Sequence, residues 1–193
     1  MDIKGKKAII FGGTSGIGLS TCQELRARGA DVVAVSRDPH KAGTSIEGVR
    51  LAAVDARDSD AVSTFFESER QVDILISSAT GGSRAFGPFL EMDIDGFKGS
   101  FDKLWGYSNV VRYGAPKLSD DGNIVLVSGT PARKMKPGQV ALSAVGGAVE
   151  ALARAIAPEI APKRINVVAP GIVDTPMVAL TGDDRAAHYR NVT

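Results

Sequence analysis

One cysteine, Cys22, occurs in the 193 residues, so no internal disulfide can staple this fold. Its place among apolar neighbours suggests packing instead. Charge of one sign is also missing. The chain has 23 basic and 22 acidic residues, a net +1, which excludes the basic surface that nucleic acid or an anionic membrane demands. No apolar run is long enough to cross a bilayer. Lys4, Lys6 and Lys7 precede apolar residues, but that run stops at Gly12, too soon for a signal peptide. There is no internal repeat, low-complexity tract or interdomain linker, and no metal site is expected. These absences leave a cytoplasmic protein with one domain over residues 1–193 and a substantial core as the expectation.

What is present is an alternation of strands and helices. Lys7–Phe11, Asp31–Ser36, Val49–Asp55, Val72–Ala79, Asn123–Ser128 and Ile165–Ala169 read as six strands, short and β-branched. Between them, Ile17, Thr21, Cys22 and Leu25 share one helical face, and Gly29 stands where a helix ends. Asp58 is placed to cap a helix running to Glu67. Phe97–Leu118 reads as one long helix, Val140–Ile160 as an Ala- and Gly-rich one disturbed near Pro158, and Asp183–Arg190 as a short polar one. Thr80–Pro88, with Gly81, Gly82 and Gly87, reads as a loop. This order predicts an α/β fold, a doubly wound parallel sheet with helices on both faces, and ligands at the carboxyl ends of the strands.

The first strand runs into Gly12-Gly13-Thr14-Ser15-Gly16-Ile17-Gly18 and then a helix. Such a turn needs residues without Cβ, for its dihedrals or for close approach of a ligand to the backbone. The free N–H groups and dipole of the helix start favour a phosphate there. A tight turn without a ligand is the alternative. The spacing is not G-x-G-x-x-G, and no Gly-Lys-Ser/Thr follows, which excludes a nucleoside-triphosphate P-loop. About 20 residues beyond the turn, where dinucleotide folds sense the ribose 2′ substituent, stand Ser36 and Arg37 rather than an acidic residue. That pair suits a 2′-phosphate, hence NADP(H) over NAD(H), although Asp38 partly cancels the field; an exposed loop arginine is the alternative.

Taken together, these residues resemble the short-chain dehydrogenase/reductase family, of Rossmann type, over nearly the whole chain. Gly12–Gly18 is similar to the family's cofactor turn, with Phe11 in place of the usual threonine. Asp55 matches its adenine-binding aspartate. Ser77-Ser78-Ala79-Thr80 stands where Asn-Asn-Ala-Gly is common. Residues 164–177 resemble strand six and the Pro-Gly…Thr cofactor loop. The resemblance implies a cofactor site of Gly12, Thr14, Ser15, Gly16, Ile17, Gly18, Ser36, Arg37, Asp55, Ala56, Ser78, Ala79, Thr80, Pro170, Gly171, Ile172 and Thr175. It also implies a further helix and a seventh strand beyond Thr193, so the C-terminal strand of the sheet is missing.

The family's reaction uses a Tyr-x-x-x-Lys pair, a serine and an asparagine. Aligned on that pattern, Leu142 takes the tyrosine's place, Gly146 the lysine's, Gly129 the serine's with Ser128 one residue early, and Lys103 the asparagine's. Lys103-Leu104-Trp105-Gly106 and Ser128-Gly129 resemble a divergent subgroup that lacks the pair. Two functions follow as expectations. One is an NADP(H)-dependent oxidoreductase on a carbonyl or alcohol, with Ser128 and Lys103 as catalytic candidates and His188 or Tyr189 as further donors. The other is a non-catalytic NADPH-binding sensor or assembly partner. Lys103 itself either reaches the vacated site or extends into solvent. The small residues Ala141, Ala144, Gly146, Gly147 and Ala148, with the family's habit of pairing this helix, point to a homodimer or homotetramer.

Overall fold

The computed structural model describes residues 2–40, 47–80, 84–177 and 180–192. Six parallel strands form one sheet in the order β3-β2-β1-β4-β5-β6. They are β1 (Lys7–Phe11), β2 (Asp31–Ser36), β3 (Val49–Ala53), β4 (Val72–Ser77), β5 (Leu118–Val127) and β6 (Arg164–Val168). The helices are α1 (Gly16–Ala27), α2 (Ser59–Ser68), α3 (Ile94–Ser100), α4 (Asp102–Gly114), α5 (Val140–Ile156) and α6 (Gly182–Val192). The strand order reverses between β1 and β4, the switch point of a doubly wound sheet.

Alternation along the strands divides the core. Ile9, Phe11, Val33 and Val35 face one side, with Phe65 and Phe66 of α2, Tyr107 and Val110 of α4, and Val149 of α5. Ala8, Ile10, Val32 and Ala34 face the other, against Cys22 and Leu25 of α1. Because both faces of β1 and β2 are covered, these strands read as continuous apolar runs, and their expected bounds match the observed ones. Cys22 is fully buried, and burial pushes its thiol up to about 12, which fits a packing role. At the end of α1, Gly29 takes φ +85° while its N–H donates to Arg26 O and that of Ala30 to Leu25 O, a glycine-dependent stop.

Several expected bounds need correction. The helix expected over Phe97–Leu118 is two, α3 and α4. At Phe101 the backbone tightens into a turn, its N–H bonding Lys98 O at 2.9 Å. Gly96 and Gly99 weaken α3, and Ser100 Oγ bonds back to Gly96 O at 2.9 Å. At the other end Pro116 stops the helix, and Leu118 pairs with Val72 as the start of β5. Helix α5 ends at Ile156, not Ile160, because Pro158 has no N–H to continue it. β3 stops at Ala53 and β4 at Ser77, so Asp55, Ser78 and Ala79 lie in loops. Residues 81–83 of the expected loop lie outside the described residues.

The amino ends of the strands are clamped by charge. Glu69, its side chain 3% exposed, accepts from Lys7 Nζ at 2.6 Å and from Arg50. Asp73 accepts from Lys6 Nζ at 3.0 Å, Lys7 N at 2.9 Å and Ser119 Oγ at 3.1 Å. Burial opposes ionisation of both carboxyls, but these donors outweigh it and hold them below their usual range. A carboxyl depressed on folding contributes stability that is complete above its unfolded value, near 4, and is lost as pH falls through the folded value. The melting temperature is therefore expected to fall as pH is lowered below about 5, and Glu69→Gln should lose about 1–2 kcal/mol at neutral pH and respond less to acid. Thermal denaturation across pH checks both; an acid response identical to wild type would remove Glu69 from the clamp.

Candidate functional site

A cleft of about 930 Å³ runs along the carboxyl ends of the strands. Phe11 at the end of β1, Ser36 at the end of β2, Val54 after β3, Ser78 after β4, Val127 of β5 and Pro170 after β6 all border it. Of the seventeen residues expected to hold a cofactor, the structure brings all but Ile172 to this cleft. Ile172 sits on the same loop but is 49% exposed and does not border the cleft. Pro170 and Gly171 beside it do, because Thr130 N and Oγ1 both donate to Pro170 O, tying that loop to the end of β5.

The glycine turn is built by close approach. Gly12 takes φ +79°, and a Cβ there would lie 2.7 Å from Ala79 N. A Cβ on Gly18 would lie 2.1 Å from Gly12 O and 2.6 Å from Ser78 Oγ. The chain can fold back on itself here only without side chains. Helices α2 and α3 are capped by Asp58 and Asp93 through their carboxylates, whereas the Ser15 side chain makes no cap bond to α1. The first turn of α1 thus meets the cleft without a cap bond from Ser15.

Arg37 and Asp38 line the cleft just past β2. Next to them, Ser36 Oγ is shut off from solvent with no hydrogen-bond partner among the described residues. An unsatisfied hydroxyl in a cleft wall is the kind of group that a ligand completes. Asp55 accepts from Arg57 N, Nε and Nη2, the last at 2.7 Å, and Arg57 Nη1 also donates to Asp102 at 3.1 Å. The Arg57 hydrogen bonds hold Asp55 below the usual carboxylate range, with Arg37 adding to the effect.

At the β5 end the cleft floor is Lys103, Tyr107, Ser128, Leu142 and Gly146. Lys103 does not extend outward into solvent. Its Nζ donates to Ser128 O at 3.3 Å and lies 5.5 Å from the centroid of the Tyr107 ring. Burial, with the charge of Arg84 added, pulls its ammonium down to about 8. Ser128 Oγ donates to Gly146 O at 3.2 Å. Tyr107 is buried and donates its hydroxyl to Val127 O at 2.9 Å; burial pushes that hydroxyl far up. A Cβ on Gly146 would lie 2.8 Å from Ala132 Cβ and 3.1 Å from Ser128 Oγ, so that position is closed to larger side chains. His188 and Tyr189 do not border the cleft; the Tyr189 hydroxyl donates to Val173 O at 3.2 Å.

Comparison with known proteins gives this arrangement a setting. The family model for short chain dehydrogenase matches residues 6–186. The chain belongs to the short chain dehydrogenase family. L-xylulose reductase of Mesocricetus auratus is 31% identical over 186 residues, which is 92% of this chain and 75% of that protein. A small-chain dehydrogenase solved in complex with NADPH superposes with a TM-score of 0.78 at 28% identity, over 97% of this chain and 80% of the other. BdcA, also solved in complex with NADPH, gives a TM-score of 0.82 at 26% identity, over 97% and 79%.

Within this short chain dehydrogenase, the cleft residues without a sequence signal include three that shape the site. They are Arg57, Arg84 and Tyr107, whose roles depend on neighbours distant in the chain. One spacing gives a false signal. Tyr113 and Lys117 stand four apart, but neither reaches the cleft. Tyr113 shares a hydrogen bond with Ser59 Oγ at 2.9 Å, and Lys117 borders a small hollow with Glu69 at the other end of the sheet.

Proposed function

We propose that this chain binds NADP(H) along the cleft and exchanges a hydride with a carbonyl or alcohol substrate at its β5 end. The observation that carries the reading is the single continuous cleft. It joins the α1 terminus and the unpartnered Ser36 hydroxyl to Lys103 and Ser128, with NADPH-bound relatives of the same fold. The α1 terminus at Ser15–Gly18 receives the pyrophosphate. Arg37 and Ser36 hold the 2′-phosphate, and Asp55 and Ala56 flank the adenine. Ser78, Ala79, Thr80, Pro170, Gly171 and Thr175 face the nicotinamide half, while Ile172, outside the cleft, takes no part.

When bound, the dihydronicotinamide supplies the hydride. The protein must supply the proton, and the usual Tyr-x-x-x-Lys pair is absent from the positions where Leu142 and Gly146 stand. Leu142 cannot donate, and the Ser128 hydrogen points at Gly146 O. With the Tyr107 hydroxyl donated to Val127 O, Lys103 is the remaining donor among the described residues of the cleft floor. Its ammonium, drawn down to about 8, releases a proton near neutrality more readily than an ordinary lysine does. Loss of a positioned acid costs roughly 10²–10⁴ in rate, so simple ketones are expected to turn over weakly.

Titration with NADPH, followed by a carbonyl panel, tests the reading. Saturable binding with carbonyl-dependent oxidation is expected, unchanged by Leu142→Ala beyond packing effects. Binding without turnover would leave a non-catalytic NADPH-binding protein, and absence of binding would end the proposal. A homodimer or homotetramer, paired through α4 and α5, is part of the same proposal; light scattering of the sample reads it directly, and a monomer would remove it.

A further inference from the structure

We propose that the substrate carries a carboxylate, which Lys103 and Arg84 hold at the β5 end of the cleft. This rests on the proposed function, since it names the substrate class of that same site; one free N–H of Lys103 then meets the carboxylate and the other the carbonyl oxygen, and the ion pair makes its ammonium a weaker acid than in the free protein.

The cationic groups there outnumber their partners. Lys103 makes one hydrogen bond, to a neutral carbonyl, and no ion pair among the described residues. Its three N–H donors leave two for a ligand. Asp102, its neighbour in the chain, is engaged by Arg57, as is Asp55. Glu150, on α5, is engaged by Arg133 and Arg154. Arg84 lines the same cleft and adds a second positive charge close enough to disfavour the Lys103 ammonium.

Arg84 is placed by its backbone. Ala85 N donates to Ser100 Oγ at 2.9 Å, and Gly87 N donates to Gly138 O at 3.0 Å. The segment that follows Arg84 is thus pinned to α3 on one side and to the approach to α5 on the other. Its guanidinium group lies 6.0 Å from the Phe86 ring centroid.

A partly buried ammonium without a counter-ion, beside a guanidinium, is an incomplete arrangement. Desolvated charges are ordinarily paired, and here the missing partner is an anion that enters from the cleft. One ammonium and one guanidinium match the two oxygens and single charge of a carboxylate, with Arg84 offering a planar fork and Lys103 a point charge. The surrounding apolar wall, Leu142 and Val145, suits the hydrocarbon body of such a substrate.

Benzoate and its neutral isostere benzamide test this on the whole protein without cofactor, by isothermal titration. Benzoate is expected to bind at least about tenfold more tightly than benzamide, the worth of one charge-assisted bond. With its ammonium drawn down to about 8, the free Lys103 is only partly protonated in mildly alkaline buffer, so benzoate binding there should take up a fraction of a proton, read from buffers of different ionisation enthalpy. Lys103→Met should abolish both the preference and the uptake. Arg84→Gln, at an exposed side chain, should weaken the preference with no loss of melting temperature.

Equal binding of the two probes, no detectable benzoate binding, or a preference that survives both substitutions overturns the proposal. Displacement of benzoate by inorganic phosphate at equal or lower concentration overturns the carboxylate assignment in favour of a phosphorylated substrate. NADPH titration of the same variants is read separately. Failure to bind NADPH ends the functional proposal, while the benzoate preference reports the anion site alone.

Discussion

Gly18→Ala is expected to cost the protein both its cofactor and much of its stability. The added methyl would stand 2.1 Å from Gly12 O and 2.6 Å from Ser78 Oγ. The serine can rotate, but the carbonyl belongs to the turn itself, which is closed on its other side by Ala79. Relief therefore requires α1 to move away from the end of β1. Overpacking of this kind costs about 1–3 kcal/mol and at times more, or roughly 2–4 °C of melting temperature for each kcal/mol in a chain of this size. Moving α1 also withdraws its N–H groups from the phosphate position, so NADPH affinity should fall at least about tenfold, the worth of one charge-assisted bond. Thermal melts and NADPH fluorescence read the two effects. A variant that melts with wild type and binds NADPH equally well would mean that the turn accommodates a methyl without displacing α1.

Arg37→Asp carries the second large effect. The guanidinium lines the cleft beside the unsatisfied Ser36 hydroxyl, at the place where a 2′-phosphate would end. A charged hydrogen bond to phosphate is worth about 1.5–3 kcal/mol, so NADPH binding should weaken by about 10- to 150-fold. The new carboxylate should repel the phosphate and accept from a free 2′-hydroxyl, improving NADH in turn. Asp38, already adjacent, makes the lower part of that range the expectation. Calorimetry with both cofactors on both proteins decides it. Equal affinity of wild type for NADH and NADPH, or an Asp variant that still prefers NADPH, would take Arg37 out of cofactor choice.

The residues that the sequence made legible are those whose roles are local. β1 and β2 are covered on both faces, so their apolar runs mark their own ends. The glycine turn and the Asp58 cap are written in neighbouring residues. The break at Phe101 is hidden in the sequence because the apolar period continues through it, and the Ser100 hydroxyl at the end of α3 takes the N–H of Ala85, fifteen residues back. Arg57 carries no local signal for its contact with Asp102, 45 residues away. Tyr113 and Lys117 show the converse. The right spacing in sequence means nothing when the helix bearing it ends at the wrong edge of the sheet. For Lys103, helix phase left open whether it faced water or the cleft, and the Ser128 carbonyl above it supplies the answer.

Gly146 carries a consequence for how this chain can change over generations. Its missing side chain is not a vacancy, because Ala132 Cβ and Ser128 Oγ already occupy the approach. Substitution at 146 is thus conditional on history. A residue with a side chain is tolerated there only after position 132 has lost its methyl or the strand end has shifted. A single substitution at 146 is costly on its own, and a change at 132 alters that cost, so the two positions are coupled.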